Sequence, residues 1–383
     1  MTKALSLSTY KPNFNDPRIR NRAVSVLAWC DELRLNRKGK QLHHDKLLQV
    51  FGNYRQQGSA QWLFSNLLSQ SGKYQPGVSS FTYRLKEAGY SKVHNKLGSK
   101  PPTELEVVQN VYGAILCGDA SPEYNDKGDR RYHPIQNIQR DLRKQAFAGW
   151  WDYDIEACAP TLIYQFAVRK YQSMFGDGAD PFPAVTRMIA DKAAVRAHLV
   201  NLLGIDVQQA KEVLAALLFR ATLAPSAKAR VFSSLGGDEV RFHKLINDKF
   251  IVQLRAEVKS MWGYARSQQI KERGLAGNAR PKEPRKSSQK RMKLYLSLER
   301  MVMDAMAAQF PVDLPVVLIH DGFMSKHRLD VAELEKAVLD KTGFVIRLSE
   351  MKLIGTGQVD DKIDVEAVIQ NDVGEAEDEI NGD

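Results

Sequence analysis

The sequence predicts a mixed α/β protein of the α+β kind, in which helices predominate over a small antiparallel sheet. Segments such as RNRAVSVLAWCDEL, residues 20–33, repeat apolar residues at spacings of three and four, as helices do. The stretch WWDYDI, residues 150–155, alternates apolar and acidic side chains, which predicts a strand. In VVLIHDGF, residues 316–323, an Asp-Gly pair between apolar residues predicts a hairpin.

The first hundred residues are expected to be helical and basic, with Lys and Arg interleaved among Tyr and Trp. The stretch GSKPPTELE, residues 98–106, indicates a linker followed by a helix cap. Basic residues beside aromatic ones suit a phosphate backbone and stacked bases. Ordinary amphipathic helices explain the same pattern equally well.

The next segments lead into the acidic strand and then into a helical region. Residues 119–150 are expected to be loop and then helix, and they deliver a group of basic side chains: Arg130, Arg131, Arg140 and Arg143. Residues 160–260 are mostly helical by pattern, and 271–291 contain eight Lys or Arg, which predicts a mobile basic loop. A helix, the strand with the hairpin, a second helix and a last strand are expected to follow.

Charge is distributed unevenly along the chain. The formal net charge is +10, but residues 355–383 carry ten acids and one Lys, so the rest carries +19. A basic body is expected of a protein that binds a polyanion, although a generally solvating surface is an alternative. The acidic tail has no aromatic residues and few large apolar ones, which predicts disorder.

Cysteine usage and hydropathy indicate an intracellular protein. Three cysteines lie far apart in the sequence, which favours a reducing compartment and no structural zinc. The first residues lack the apolar core of a signal peptide, and no run approaches the roughly 20 apolar residues of a membrane helix. We therefore expect a soluble cytoplasmic protein without a membrane partner.

Two acids stand out because each follows an apolar strand. Asp154 lies in the strand at 150–155 and Asp321 at the tip of the hairpin. A carboxylate on a largely buried strand is costly unless a cation or a metal ion neutralises it. Two such acids on adjacent strands can share two magnesium ions with a triphosphate. A shift of register would exchange Asp154 with Asp152.

These motifs resemble those of single-subunit right-hand nucleic-acid polymerases, the superfamily of phage-type RNA polymerases and repair-type DNA polymerases. DYDIEACAPTL resembles the strand that ends in the first metal-binding Asp, and LIHDGF resembles the His-Asp hairpin. Between them, KEVLAALLFR is similar to the nucleotide-binding helix, with Lys211 followed eight residues later by Phe219 and then Arg220. Arg196 or Lys228 could serve instead of Lys211. The resemblance spans residues 119–354.

The resemblance implies a right-hand polymerase with a small antiparallel-sheet palm, helical fingers and a helical N-terminal region. The implied parts are a thumb-like or template-binding region at 1–118, the palm at 119–190 and 296–354, fingers at 191–295 that include the basic loop, and a disordered tail at 355–383.

The resemblance also implies roles for individual residues. Asp154 and Asp321 would hold two Mg²⁺ ions, and Lys211, with Phe219 and Arg220, would bind the nucleotide. His320 would lie beside the primer end, or be an ordinary core histidine. The four arginines Arg130, Arg131, Arg140 and Arg143 would contact nucleic acid.

The residue five positions after the first metal-binding Asp is bulky in DNA-making relatives and small in RNA-making ones. Here it is Ala159, or Ala157 if Asp152 is the ligand, which favours ribonucleotides. We therefore expect a small DNA-directed RNA polymerase or primase, of a kind common in phages, acting on a DNA template with nucleoside triphosphates to yield RNA. A loading partner or a single-stranded-DNA-binding protein could assist it. The alternatives are a DNA polymerase of the same superfamily, a two-metal nuclease, and a basic nucleic-acid-binding protein without enzymatic activity.

Overall fold

The computed structural model describes residues 10–35, 40–55, 58–71, 81–127, 130–273, 287–311 and 313–354, with only the backbone at 268–273. It is a mixed α/β structure, mostly helical, with small antiparallel sheets. Internal contacts divide the described residues into two units. Unit 1 holds the described chain up to Glu123, His133–Gly149 and residues 353–354, and unit 2 holds Tyr124–Tyr132 and Trp150–Lys352. The predicted division into palm and fingers stays a prediction.

Unit 1 combines six helices with three short strands in the part of the chain that is described. Its elements are α1 (Pro17–Arg34), β1 (Lys40–Gln41), α2 (His44–Phe51), α3 (Ser59–Leu67), β2 (Leu68–Ser71), β3 (Thr82–Leu85), α4 (Glu87–Leu97), α5 (Glu104–Cys117) and, after a 3₁₀ turn at Pro134–Asn137, α6 (Arg140–Ala146). The strands form an antiparallel sheet in the order β1-β3-β2. The expectation that the first hundred residues are helical is wrong for these strands.

Local sequence signals explain several helix ends in unit 1. Asp16 caps α1, and its carboxylate accepts a hydrogen bond of 2.8 Å from the backbone N–H of Arg18. Thr103 and Glu106 form a reciprocal capping box at the start of α5, which confirms the predicted helix cap. These side chains satisfy backbone N–H groups that have no partner within the helix.

Unit 2 contains the remaining elements. They are β4 (Asn125–Lys127), β5 (Arg130–Tyr132), β6 (Trp151–Ile155), α7 (Cys158–Phe175), α8 (Pro183–Ala190), α9 (Lys192–Leu203), α10 (Val207–Leu218), α11 (Arg230–Ser234), α12 (Glu239–Asn247), α13 (Lys249–Arg273), α14 (Ser287–Ala307), β7 (Val316–Ile319), β8 (Gly322–Ser325), α15 (Val331–Thr342) and β9 (Leu348–Lys352). Strands β4 and β5 pair with each other, and the other four form an antiparallel sheet in the order β7-β8-β6-β9.

The predicted acidic strand and the predicted hairpin are both confirmed. In β6, Tyr153 and Ile155 are buried, whereas Asp152 and Asp154 on the opposite face are half-buried. The Tyr153 ring stacks on Phe323 of β8 with ring centroids 4.7 Å apart. One hydrophobic core joins this sheet to α7, α13 and α14, so the strand that carries the acids has rigid support.

Two predicted segments extend beyond the described residues. Of the predicted basic loop at 271–291, residues 274–286 lie outside them, but both ends are helical, because α13 runs to Arg273 and α14 begins at Ser287. The loop prediction is wrong at these ends, where Arg291 is buried and tied to the core by a hydrogen bond to the carbonyl oxygen of Phe219. The predicted acidic tail lies outside the described residues. No helix in the described ranges is both long and apolar enough to span a bilayer.

Candidate active site

Two acids lie at adjacent positions on neighbouring strands of the four-stranded sheet. Asp154, the fourth residue of β6, is opposite Gly322, the first residue of β8. The backbone N–H of Ile155 donates a hydrogen bond of 3.3 Å to the carbonyl oxygen of Asp321. The structure therefore brings Asp154 and Asp321 together at one end of the sheet.

Gly322 permits this close approach of the two strands. A Cβ atom on Gly322 would lie 2.3 Å from the carbonyl oxygen of Tyr153 and 3.3 Å from Oδ1 of Asp154. Backbone atoms cannot rotate away as a flexible side chain can, so a side chain at this position would push β8 away from β6. Because Gly322 has no side chain, β6 and β8 can pair closely enough to set Asp321 beside Asp154.

Asp152 lies farther from the hairpin tip than Asp154 does. It is opposite Met324 on β8 and Met351 on β9, two residues along the strand from the Asp154 position. Alternation leaves it on the same face of β6 as Asp154. The hairpin therefore presents Asp321 beside Asp154 rather than beside Asp152.

A third carboxylate, Glu299 of α14, was missed by the sequence analysis. Glu299 is 2 % exposed, and Arg130 of β5 binds both of its oxygens, with Nε–Oε1 and Nη2–Oε2 distances of 2.8 Å. Burial raises the pKa of Asp321 above its usual value, and the Glu299 carboxylate raises it further, while Arg130 opposes the increase. The signal in the sequence was that Glu299 shares a helix face with Tyr295 and Val302, both apolar and buried.

Cys158 lies among all three carboxylates. It begins α7, is 3 % exposed, and accepts a hydrogen bond from the Tyr295 hydroxyl. Burial raises the pKa of the Cys158 thiol well above its usual value, and the nearby charges of Asp321, Glu299 and Asp154 add to the increase. The residue is therefore an uncharged thiol, and it donates a hydrogen bond to the Asp321 carboxylate.

Backbone strain is concentrated near the acids. In the described part of the chain, three residues other than glycine have positive φ angles: Ala157 at 49°, Arg220 at 59° and His320 at 51°. Ala157 connects the strand of Asp154 to α7, and His320 directly precedes Asp321. Such strain persists only where the surrounding structure enforces it, and it is common at functional sites.

Lys192, the first residue of α9, lies close to the acids at the end of β6, and Arg196 follows it on the same helix. Lys192 and Arg196 are half-buried and one turn apart. Burial lowers the pKa of Lys192, whereas the carboxylates of Glu156 and Asp154 raise it. Arg196 was considered in the sequence as an alternative to Lys211, but Lys192 was missed, because a lone Lys at the start of a helix has no distinctive pattern.

The residue predicted to bind the triphosphate, Lys211, is only 7 % exposed and lies on the buried face of α10. The end of the same helix does approach the acids. Phe219 contacts Tyr295 edge to face, with ring centroids 5.7 Å apart, and Tyr295 in turn binds Cys158. Lys228, another alternative, is exposed in the segment before α11.

Side chains from α13 and α14 bind the last carbonyl groups of α10. Trp262 Nε1 donates to the carbonyl oxygen of Leu218 at 2.7 Å, and Arg291 Nε donates to that of Phe219 at 2.8 Å. These bonds satisfy backbone acceptors that have no partner within the helix. They also fix the position of the next residue, Arg220.

Arg220, Arg266 and Arg291 form a positively charged cluster at this end of α10. Burial lowers the pKa of Arg291, and the positive charges of Arg220 and Arg266 lower it further. Within the described residues, none of the three forms an ion pair with a carboxylate. The dipole of a helix C-terminus favours one nearby cation, but three cations together repel one another unless an anion is added.

The arginines predicted to contact nucleic acid lie in both units. Arg130 is bound to Glu299, and Arg131 forms a 2.9 Å ion pair with Asp304. In unit 1, Arg143 donates to the carbonyl oxygens of Gln136 and Ile138, both at 3.3 Å, and Arg140 is half-buried at the start of α6. Contact with nucleic acid stays a prediction for all four.

Ala159 lies in the first turn of α7, five residues after Asp154, and is 9 % exposed. Its neighbours Cys158 and Pro160 belong to the same turn, which begins at the strained residue Ala157. The small side chain thus borders the segment that carries the first acid.

The donor set suits a magnesium site completed by substrate. Within the described ranges, no group of three or more His, Cys, Asp or Glu residues could hold a metal ion by itself. Mg²⁺ is commonly held by one or two carboxylates together with substrate phosphates and water. Asp154 and Asp321 provide two carboxylates of this kind, and Glu299 is already bound by Arg130.

No protein-family model and no curated protein sequence matches this chain.

Proposed function

We propose that the chain catalyses template-directed nucleotidyl transfer, as a small single-subunit DNA-directed RNA polymerase or primase. The observation that carries this proposal is the pairing of Asp154 with Gly322, which sets Asp321 beside Asp154 on the neighbouring strand. A single acid at a strand end is common, but two on adjacent strands, reached through a strained turn, match the demands of phosphoryl transfer.

In this proposal the protein is a right-hand polymerase. The sheet β7-β8-β6-β9 with its covering helices corresponds to the palm, and the helices from α9 to α13 correspond to the fingers. The rigid core beneath β6 supports this reading, because catalytic groups must be held in a fixed geometry.

Asp154 and Asp321 would hold two Mg²⁺ ions. The bound ions would neutralise the triphosphate and lower the pKa of the attacking hydroxyl. Burial and the Glu299 carboxylate raise the pKa of Asp321, and a bound cation would favour its charged form, which supports a role in binding cations. Arg130 is bound to Glu299, so Asp154 and Asp321 are the proposed metal ligands.

The surrounding cations would bind phosphates. As the 3′ oxygen bonds to the α-phosphorus, the pyrophosphate leaves and its charge increases, and preorganised cations stabilise that charge. The Asp154 carboxylate raises the pKa of Lys192, Arg196 lies one turn further along α9, and the cluster Arg220, Arg266 and Arg291 lies at the end of α10. Because Lys211 is buried, we propose that these residues, rather than Lys211, bind the triphosphate. His320 stays a candidate for contact with the primer end.

The small side chain of Ala159 supports ribonucleotide use. A bulky residue at this position would exclude a 2′-hydroxyl, and discrimination by a clash is a common means of specificity. If a residue other than Ala159 excludes the ribose 2′-hydroxyl, the alternative is a DNA polymerase of the same architecture.

The first test is primer extension by the full chain. A labelled primer on a single-stranded DNA template, with Mg²⁺ and ribonucleotides, should lengthen by a sequence that the template dictates. Equal extension without a template would contradict the proposal, and shortening of the primer would indicate a two-metal nuclease. Parallel reactions with deoxyribonucleotides separate an RNA polymerase from a DNA polymerase.

A further inference from the structure

The first part of unit 1 has the topology of a winged helix-turn-helix domain. Its elements follow the order α1, β1, α2, α3, β2, β3, and the strands pair antiparallel in the order β1-β3-β2. Leu68 pairs with Leu85 and Ser71 with Thr82, so β2 and β3 are the two arms of a hairpin. The residues that connect these arms at 72–80 lie outside the described residues, and nothing below depends on them.

The three helices share one hydrophobic core, as the helices of a helix-turn-helix domain do. Leu63 and Leu67 of α3, Leu47 and Phe51 of α2, and several residues of α1 share one core, with Val26, Leu27 and Cys30 as the α1 members. Gly52, with φ of 74°, ends α2 and turns the chain before α3. In a helix-turn-helix motif the second helix enters the major groove, and α3 occupies the position of that second helix after α2.

The face of α3 that points away from the core is polar. Ala60, Leu63 and Leu67 are buried, whereas Gln61 and Ser65 are half-buried, one turn apart, on the opposite side of the helix. Gln can bond the N6 and N7 groups of adenine in the major groove, and Ser can bond any base. Gln61 lies in the first turn of α3, where recognition helices make base contacts.

Exposed cations from two other elements surround α3. Lys86 donates to the carbonyl oxygen of Ser65 at 2.8 Å, and Lys92 donates to Oδ1 of Asn66 at 3.2 Å. Arg22 of α1 donates to the Ser59 hydroxyl at 3.1 Å. Three exposed cations therefore lie along a nine-residue helix.

A close contact between helices holds the two lysines in place. A Cβ atom on Gly89 would lie 1.8 Å from the carbonyl oxygen of Asn66, so α4 touches the end of α3 directly. Gly89 is flanked by Lys86 and Lys92 at spacings of three, which puts both lysines on this side of α4.

The lysines could serve only to satisfy the last carbonyl groups of α3, as cations near helix C-termini do. The charge of the whole segment favours a larger role. Residues 40–98 contain eight Lys or Arg and two acids, Asp45 and Glu87. Glu87 is paired with Arg34 at 3.2 Å, so it does not offset the cations at α3.

We propose that this part of unit 1 binds double-stranded DNA, with α3 in the major groove. Gln61 and Ser65 contact base edges, and Arg22, Lys86 and Lys92 contact phosphates. B-form DNA has a major groove wide enough for an α-helix, whereas the major groove of double-stranded RNA is too deep and narrow. The inference does not depend on the proposed polymerase activity, and it predicts that the protein prefers a particular duplex sequence.

The test uses the full chain and a pool of random-sequence DNA duplexes of about 25 base pairs. Bound duplexes are selected over repeated rounds and sequenced, and affinities for the selected sequence are measured by fluorescence anisotropy at several salt concentrations. We expect one sequence motif to be enriched. A Gln61→Ala variant should lose roughly ten-fold or more in affinity at one base pair of that motif and bind the corresponding mutant duplexes as well as the selected one.

The double variant K86E/K92E should bind all duplexes more weakly. The slope of log affinity against log salt concentration should become shallower by about one for each Lys removed. Lys336→Glu reverses the charge of one exposed residue of α15 in unit 2, away from α3, and is the control for half of the charge change in the double variant. Thermal melting of each variant establishes that it is folded. Both lysines and Gln61 are outside the protein interior, so their replacement leaves the core of unit 1 intact.

Three results would overturn the inference. They are the absence of an enriched motif, a K86E/K92E variant that binds duplex as the Lys336→Glu control does, and equal affinity for double-stranded RNA of the selected sequence. A wild-type chain that selects a duplex motif but does not extend primers would refute the polymerase proposal and leave this inference standing. Template-directed extension by a chain that shows no preference for any duplex sequence would refute this inference and leave the polymerase proposal standing.

Discussion

Replacement of Gly322 by Ala tests whether the contact between β6 and β8 creates the proposed site. The added methyl group would lie 2.3 Å from the Tyr153 carbonyl oxygen and 3.2 Å from the Cα atom of Asp154. An ordinary contact of about 3.4 Å requires the strands to separate by about 1 Å at this point. Both obstructing atoms belong to the backbone of β6, so no change of rotamer can relieve the clash.

The expected loss of stability combines overpacking with a weakened strand pairing. Overpacking of a tight site costs about 1–3 kcal/mol, and one weakened backbone hydrogen bond adds about 1 kcal/mol. For a unit of this size, about 2–4 °C of melting temperature is lost per kcal/mol, so a decrease of roughly 4–16 °C is expected. A displacement of about 1 Å between catalytic groups should also reduce primer extension by about 100-fold.

Differential scanning calorimetry and a primer-extension assay measure the two effects. Gly263→Ala is the control, because Gly263 is exposed in α13 and an added Cβ meets no atom within 4 Å. That variant should be slightly more stable than the wild type, since Ala favours a helix by about 0.5–1 kcal/mol over Gly. If Gly322→Ala melted within about 2 °C of the wild type and extended primers normally, the reasoning about this contact would be refuted.

Three further predictions concern specificity, pH and the tail. Ala159→Glu should reduce incorporation of ribonucleotides more than that of deoxyribonucleotides, measured as the ratio of kcat/KM values; a parallel loss of both would instead indicate damage to the fold. Burial raises the pKa of Asp31, which accepts a hydrogen bond from Tyr90, so its stabilising contribution is present below the pKa of the unfolded chain, near 4, and is lost as pH rises through the folded value. Asp31→Asn should therefore gain melting temperature relative to the wild type as pH rises from 4 to about 7, and a constant difference would contradict this. Deletion of residues 355–383, which carry a net charge of −9, should leave the melting temperature unchanged and strengthen non-specific DNA binding, and a sharp fall in melting temperature would show that the tail is packed.

Local sequence signals predicted the parts of the fold that depend on neighbouring residues. The Asp-Gly pair at 321–322 predicts its own hairpin, and the alternation in 150–155 predicts which face of β6 is buried. Strands of two to four residues, such as β1 and β3, carry too few side chains to show a period, and they form because the helices of unit 1 provide a core. Their existence could not be inferred from the segment alone.

The candidate site was predictable only in part for the same reason. Asp154 and Asp321 were found because each follows an apolar strand, but Lys192 and Glu299 depend on how helices pack against the sheet. Lys211 matched a spacing in a helix, yet the side of α10 that faces the core is set by tertiary packing. Spacing within one helix does not reveal which face is buried when apolar residues occupy most of its surface.

The proposal that Asp154 and Asp321 form the catalytic pair is tested most directly by comparing three single variants in Mg²⁺-dependent primer extension. Asp154→Ala and Asp321→Ala should each reduce the extension rate by at least about 1000-fold while the affinity for primer–template changes little, because phosphate contacts dominate binding. Asp152→Ala, on the same face of β6 but two residues from the hairpin tip, is the matched control and should retain most of the rate. Near-normal extension by either of the first two variants, or an equal loss in all three, would contradict the assignment of the site.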